Sequence, residues 1–115
     1  VAALNNLAVL LTEDDPENAI EYAEKALRFS GGASAVLDTL AMAQLKNQQV
    51  LKAERSIGRA LSLSPDNANM RFHQAQIMDA SGDRVGAIIA LERLLQATTE
   101  FPQRQEVRAY LGSLN

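Results

Sequence analysis

Cysteine and tryptophan are absent from this 115-residue chain. Without thiols there is no disulfide, no thiol nucleophile and no cysteine-based zinc site. That absence assigns no compartment, because a cysteine-free chain suits the cytosol and the periplasm equally. Aromatic residues are scarce: only Tyr22, Phe29, Phe72, Phe101 and Tyr110 occur. A core must then be built from Ala, Leu, Ile and Val. Such a core suits close-packed helices better than sheets, which favour β-branched and aromatic side chains. Basic charge is also lacking, the formal net charge being −3. Nucleic-acid binders draw much of their affinity from a basic face, so nucleic acid is not an expected partner. No apolar run approaches the roughly 20 residues that cross a bilayer, so direct membrane insertion is not expected. No signal-peptide pattern is present.

What is present is an ordinary apolar content of 47%, enough for a folded chain. Ala2 to Thr12 carries Leu4, Leu7, Ala8 and Leu11 at helical spacing. Asp15 and Pro16 then suit the N-cap and first residue of a second helix running to about Phe29. Its apolar face is Ala19, Ile20, Ala23, Ala26 and Leu27, and Ser30-Gly31-Gly32 ends it. Further helices are predicted over Ser34–Lys46, Val50–Leu63, Ala68–Ala80 and Asp83–Ala97. Thr98 to Phe101 reads as a linker. Pro102 is expected to open a last helix to Leu114, with Val107, Tyr110, Leu111 and Leu114 as one apolar stripe. The acidic residues Glu13, Asp14, Asp15, Glu17, Glu21 and Glu24 read as a solvated helix surface.

The helices repeat. Ala19, Ala26 and Leu27 recur 34 residues later as Ala53, Ala60 and Leu61, and Ala53, Ile57 and Leu61 recur as Ala87, Leu91 and Leu95. A fixed period of this length signals stacked helix pairs. Ala8, Ala41 and Ala75 mark the first helix of each pair. Leu7, Leu40, Ile57 and Leu91 are expected to fill the spaces beside the alanines. Leu40-Ala41, Ala53, Ile57, Ala60 and Pro65 in the middle unit resemble the tetratricopeptide repeat. So do Ala75, Gly82-Asp83, Ala87 and Leu91 in the third, and Leu7-Ala8, Ala19 and Ala26 in the first. Several positions depart from the pattern. Ala8 to Ala41 is 33 residues rather than 34, Gly31 and Thr99 replace the closing proline, Gln74 replaces an apolar residue and Leu94 a late alanine. The stretches Leu4-Asn5-Asn6-Leu7-Ala8 and Leu37-Asp38-Thr39-Leu40-Ala41 further resemble the C-terminal repeats of bacterial tetratricopeptide lipoproteins associated with exosortase and exopolysaccharide systems.

The resemblance implies an all-α, right-handed solenoid of three antiparallel hairpins and a C-terminal capping helix. Its units would be residues 1–33, 34–67, 68–101 and 102–115. It also implies a non-catalytic module whose first helices line a groove for a peptide or partner helix. Carried onto this chain, the groove holds Asn5, Asn6, Val9 and Thr12; Asp38, Thr39, Met42 and Leu45; and Asn69, Phe72, His73, Gln76 and Asp79. Amide side chains both donate and accept, which suits an extended backbone, while Met42 and Phe72 offer apolar contacts. The family's carboxylate clamp for chaperone tails is not expected, because Asn5, Val9, Thr39, Asn69 and His73 offer no fixed cation. His73 is the best catalytic candidate, but it lacks an evident nucleophile. His73, Asp38 and Asp79 would be the sole metal cluster. Neither catalysis, metal nor cofactor is therefore expected. A pentatricopeptide RNA binder, with a period near 35 and a basic groove, fits less well. The alternative to groove binding is a structural spacer of a longer scaffold. The chain begins inside a helical pattern, as a piece of a longer array would. Its first helix would then self-associate or meet another repeat.

Overall fold

The computed structural model describes residues 1–97 and 100–115. Thr99, and with Thr98 half of the expected linker, lies outside the described residues. Within them the chain is all-helical: α1 (Ala2–Leu11), α2 (Pro16–Ser30), α3 (Ser34–Lys46), α4 (Val50–Leu63), α5 (Ala68–Ala80), α6 (Arg84–Ala97) and α7 (Arg104–Leu114). The radius of gyration is 13.6 Å, close to the roughly 13 Å of a compact chain of this length.

Local chemistry sets the boundaries. At the start of α2, Asp15 accepts the Asn18 backbone N–H at 3.4 Å and its side-chain amide at 2.6 Å, with Pro16 in the first turn. That proline gives up no hydrogen bond there. Gly31, at φ 68°, ends the helix in the left-handed conformation, its N–H donating to the Leu27 carbonyl. Asn67 caps α5 through the Met70 N–H at 3.0 Å, and Asp83 caps α6 through the Gly86 N–H at 2.9 Å. Asp83 therefore precedes α6 rather than beginning it. The last helix also starts later than Pro102 suggests. The Arg104 N–H closes a turn on the Phe101 carbonyl at 3.1 Å, and α7 runs from there.

Each helix packs on the next, and in addition α1 meets α3 and α3 meets α5, so these three lie in a row. Ala8, Ala19, Ala23, Ala26, Ala41, Ala53, Ala60, Ala75 and Ala87 are all fully buried. Small residues at crossings let helix axes approach closely. Leu37, Ile57, Met70 and Ile77 fill the middle of the molecule. Phe72, Leu91, Leu94, Val107 and Leu114 form the core shared by α5, α6 and α7. The α7 stripe thus packs inward as its spacing implies, with Val107 and Leu114 buried and Tyr110 and Leu111 half-buried. Leu94 has the volume to meet it where the preceding pair holds Ala60. Leu7 behaves differently: it is exposed, whereas Leu40, Ile57 and Leu91 are buried. A filler needs a helix on its far side, and no described residue covers Leu7 on that side of α1.

Candidate functional site

A hollow of about 300 Å³ opens on the row formed by α1, α3 and α5. It is lined by Val9, Thr12 and Glu13 from the first pair, by Asp38, Thr39, Met42 and Lys46 from α3, and by Asn69 and His73 from α5. Seven of the thirteen expected groove residues meet here.

The hydroxyls do not reach for a ligand. Thr12 donates to the Ala8 carbonyl at 2.8 Å and Thr39 to the Ala35 carbonyl at 3.1 Å, each to the backbone four residues back. Thr39 is also nearly covered. The polar groups left are Asp38, His73, Asn69, Glu13 and Lys46. Asp38 and His73 join α3 to α5 through a 2.7 Å contact between Oδ1 and Nδ1, with side chains 13% and 19% exposed. An ionised carboxylate only accepts, so the proton of this bond resides on Nδ1 and the other ring nitrogen is left for a different partner. At the rim Lys46 pairs with Glu13 at 3.4 Å, both well exposed. Such a pair contributes at most about 1 kcal/mol.

The other six expected residues lie elsewhere. Phe72 is 4% exposed and belongs to the core, its ring edge-on to Tyr110 at 5.8 Å. Asp79 faces α7, accepting from the Tyr110 hydroxyl at 3.0 Å and from Arg84 Nε at 3.3 Å. It is therefore bound to these partners rather than to His73. Burial, and next the bond to Asp79, push the Tyr110 hydroxyl up to about 12. Leu45 packs against the middle core. Asn6 is exposed and Gln76 half-buried, both outside the hollow. Asn5 also lies outside it, and its Oδ1 is buried without a hydrogen-bond partner.

Asn5, Asp38 and Phe72 occupy one repeat position, so a single register carries an orphaned amide, a histidine-bound carboxylate and a core aromatic. Sequence reasoning missed Glu13 and Lys46. Their signal was the end of a first helix bordering an acidic turn. It also missed the buried hydrogen bond from Ser56 to Gln44 at 2.7 Å, which ties α4 to α3. Among the described residues no group of three His, Cys, Asp or Glu side chains is placed to hold a metal. Among the described residues no helix is long and apolar enough to cross a membrane.

Compared with protein-family models and with curated proteins, the chain finds no match.

Proposed function

We propose that this chain is a non-catalytic protein-interaction module. It would be a right-handed array of three tetratricopeptide-like pairs closed by α7, holding an extended peptide or a partner helix along α1, α3 and α5. The carrying observation is the shared hollow, in which side chains from all three helices meet around Met42 and the Asp38–His73 contact. The contacts of α1 with α3 and of α3 with α5 support the array, since helices about one sequence period apart touch one another. The test is selection from a displayed random-peptide library. Peptides retained by the chain are remeasured on Val9→Trp, which narrows the hollow from an exposed rim position. Enriched peptides that lose at least about tenfold on that variant support the groove, a loss of roughly 1.4 kcal/mol. A library that yields no peptide sensitive to the variant sinks it.

One observation favours a second reading, a spacer or self-association unit of a longer scaffold, including the bacterial exopolysaccharide or exosortase kind. Leu7 and Leu10 lie exposed on α1. On that reading the chain forms dimers in sedimentation at high concentration, and Leu10→Lys returns it to monomer. A strict monomer removes self-association.

A further inference from the structure

We propose that the ligand of this hollow is anchored by a basic side chain, a lysine or arginine of a bound peptide, held by Asp38. The inference deepens the groove reading and rests on it. Asp38 is a carboxylate whose side chain is only 13% exposed. His73 takes one of its oxygens at 2.7 Å, and no described residue donates to the other. A largely buried carboxylate with an unused oxygen gains from a charged donor, because a hydrogen bond to an ionised group is stronger than one between neutral groups. Its present partner carries charge only when protonated. The remaining fixed charges of the lining, Glu13 and Lys46, are paired with each other at 3.4 Å. The hollow therefore keeps a net negative charge whenever His73 is neutral.

Two further features suit a long basic side chain. With the Thr12 and Thr39 hydroxyls committed to their own backbones, the wall that these two residues share with Val9 and Met42 is mostly apolar. The stems of Lys and Arg lie along such surfaces while the head seeks the carboxylate. The hollow also takes one wall residue, Glu13, from the most acidic part of the chain. Residues 1–33 hold six carboxylates against Lys25 and Arg28, while the rest holds eight against nine cations. That asymmetry steers cations toward this end. An anionic anchor would meet Asp38 and Glu13 instead.

The experiment uses fluorescein-labelled peptides from the library selection, measured by anisotropy on the whole chain. Each is paired with a copy in which its basic residues are replaced by citrulline or norleucine. The expected result is a Lys or Arg in every peptide sensitive to Val9→Trp, and a loss of about tenfold on the neutral copy. Asp38→Asn keeps an oxygen acceptor for His73 while removing the charge, and is expected to weaken the basic peptide similarly and leave the neutral copy unchanged. If that variant fails to fold, the comparison of the two peptides on the unaltered chain still decides. Peptides that depend on Val9 but carry apolar or acidic anchors, or that bind equally with neutral replacements, overturn the basic anchor and leave the groove standing. No peptide dependent on Val9 overturns both.

Discussion

Leu7 and Leu10 on α1 stand one repeat before Leu40 and Ala43 on α3. The first two are 37% and 76% exposed, the second two 5% and 0%. Ala3 and Val36 repeat the contrast, exposed on α1 and buried on α3. The far end of the molecule differs again. There α7 lays Val107 and Leu114 over Leu91 and Leu94, and all four are buried. At these positions, equivalent by the sequence period, burial is thus a property of what lies alongside a residue more than of the residue itself. One end has a covering helix and the other has an open apolar side.

The sharpest test of that contrast is a pair of truncations. Leu94→Ala removes a fully buried side chain from the α6–α7 core and should cost about 3 kcal/mol in urea unfolding. Leu10→Ala removes the same atoms from an exposed position and should change stability by no more than about 0.5 kcal/mol. Equal losses would mean that α1 is covered in solution. That outcome would favour self-association through this face, and the loss would then depend on protein concentration.

The helices themselves were legible in the sequence because their signals are local. The spans of α3, α4 and α5 match the apolar period and the breaker residues around them, although α3 and α4 start without a side-chain cap; Asp15 caps α2 as expected, and Asn67 and Asp83 cap α5 and α6. The groove was less legible because it depends on three helices at once. Val9, Met42 and His73 meet as spacing suggests, but Phe72 and Asp79 share the His73 helix and turn toward α7. Nothing local distinguishes them. The period gives equivalent positions, whereas the neighbours of α5 differ from those of α3. Val107, Tyr110 and Leu114 on α7 claim the side of α5 and α6 that would otherwise stay open.

Tyr110 gives the covered end a pH signature. Its hydroxyl is pushed up to about 12 from the ordinary 10.0, by burial and by Asp79. The folded chain keeps this proton to higher pH than the unfolded chain. The contribution is therefore complete below pH 10 and lost as pH rises toward 12. Tyr110→Phe should cost about 1–2 kcal/mol near neutrality, since it removes a hydrogen bond to a carboxylate. It should also flatten the fall in stability between pH 10 and about pH 12 relative to the unaltered chain. Ultraviolet titration should show a late tyrosine transition that the variant lacks. A late transition that survives Tyr110→Phe would assign it elsewhere.

The open end has its own weakness in Asn5. Its buried Oδ1 lacks a partner, whereas Asp38 at the same repeat position has His73. Removing an unsatisfied buried acceptor relieves a desolvation cost of about 1 kcal/mol. Asn5→Leu should therefore stabilise the chain by about that amount in urea unfolding. A destabilised variant would show that the amide is hydrogen-bonded in solution.

The smallest expected effect compares the second pair with the third. Gln48 and Gly82 lie 34 residues apart in equivalent turns, both with positive φ, 64° and 98°. The bonds that close the turns also match. The Gln49 N–H reaches the Gln44 carbonyl at 2.8 Å, and the Asp83 N–H reaches the Met78 carbonyl at 2.9 Å. The first pair has no such residue, because only eleven residues separate Ala8 from Ala19 where twelve separate Ala41 from Ala53. A side chain at φ near 60° costs about 1 kcal/mol that glycine avoids. Glycine gives part of this back through the freedom of the unfolded chain. Gln48→Gly should then stabilise by about 0.5 kcal/mol. Gly82→Gln should destabilise by about 1 kcal/mol, and space is not the reason, since nothing lies within 4 Å of a Cβ built there. Urea midpoints moving in opposite directions would show that the two turns are one device, strained in the second pair and relaxed in the third. Midpoints moving together would mean that Gln48 is held by contacts of its side chain, so that the period relates the backbones of the two turns but not their energetics.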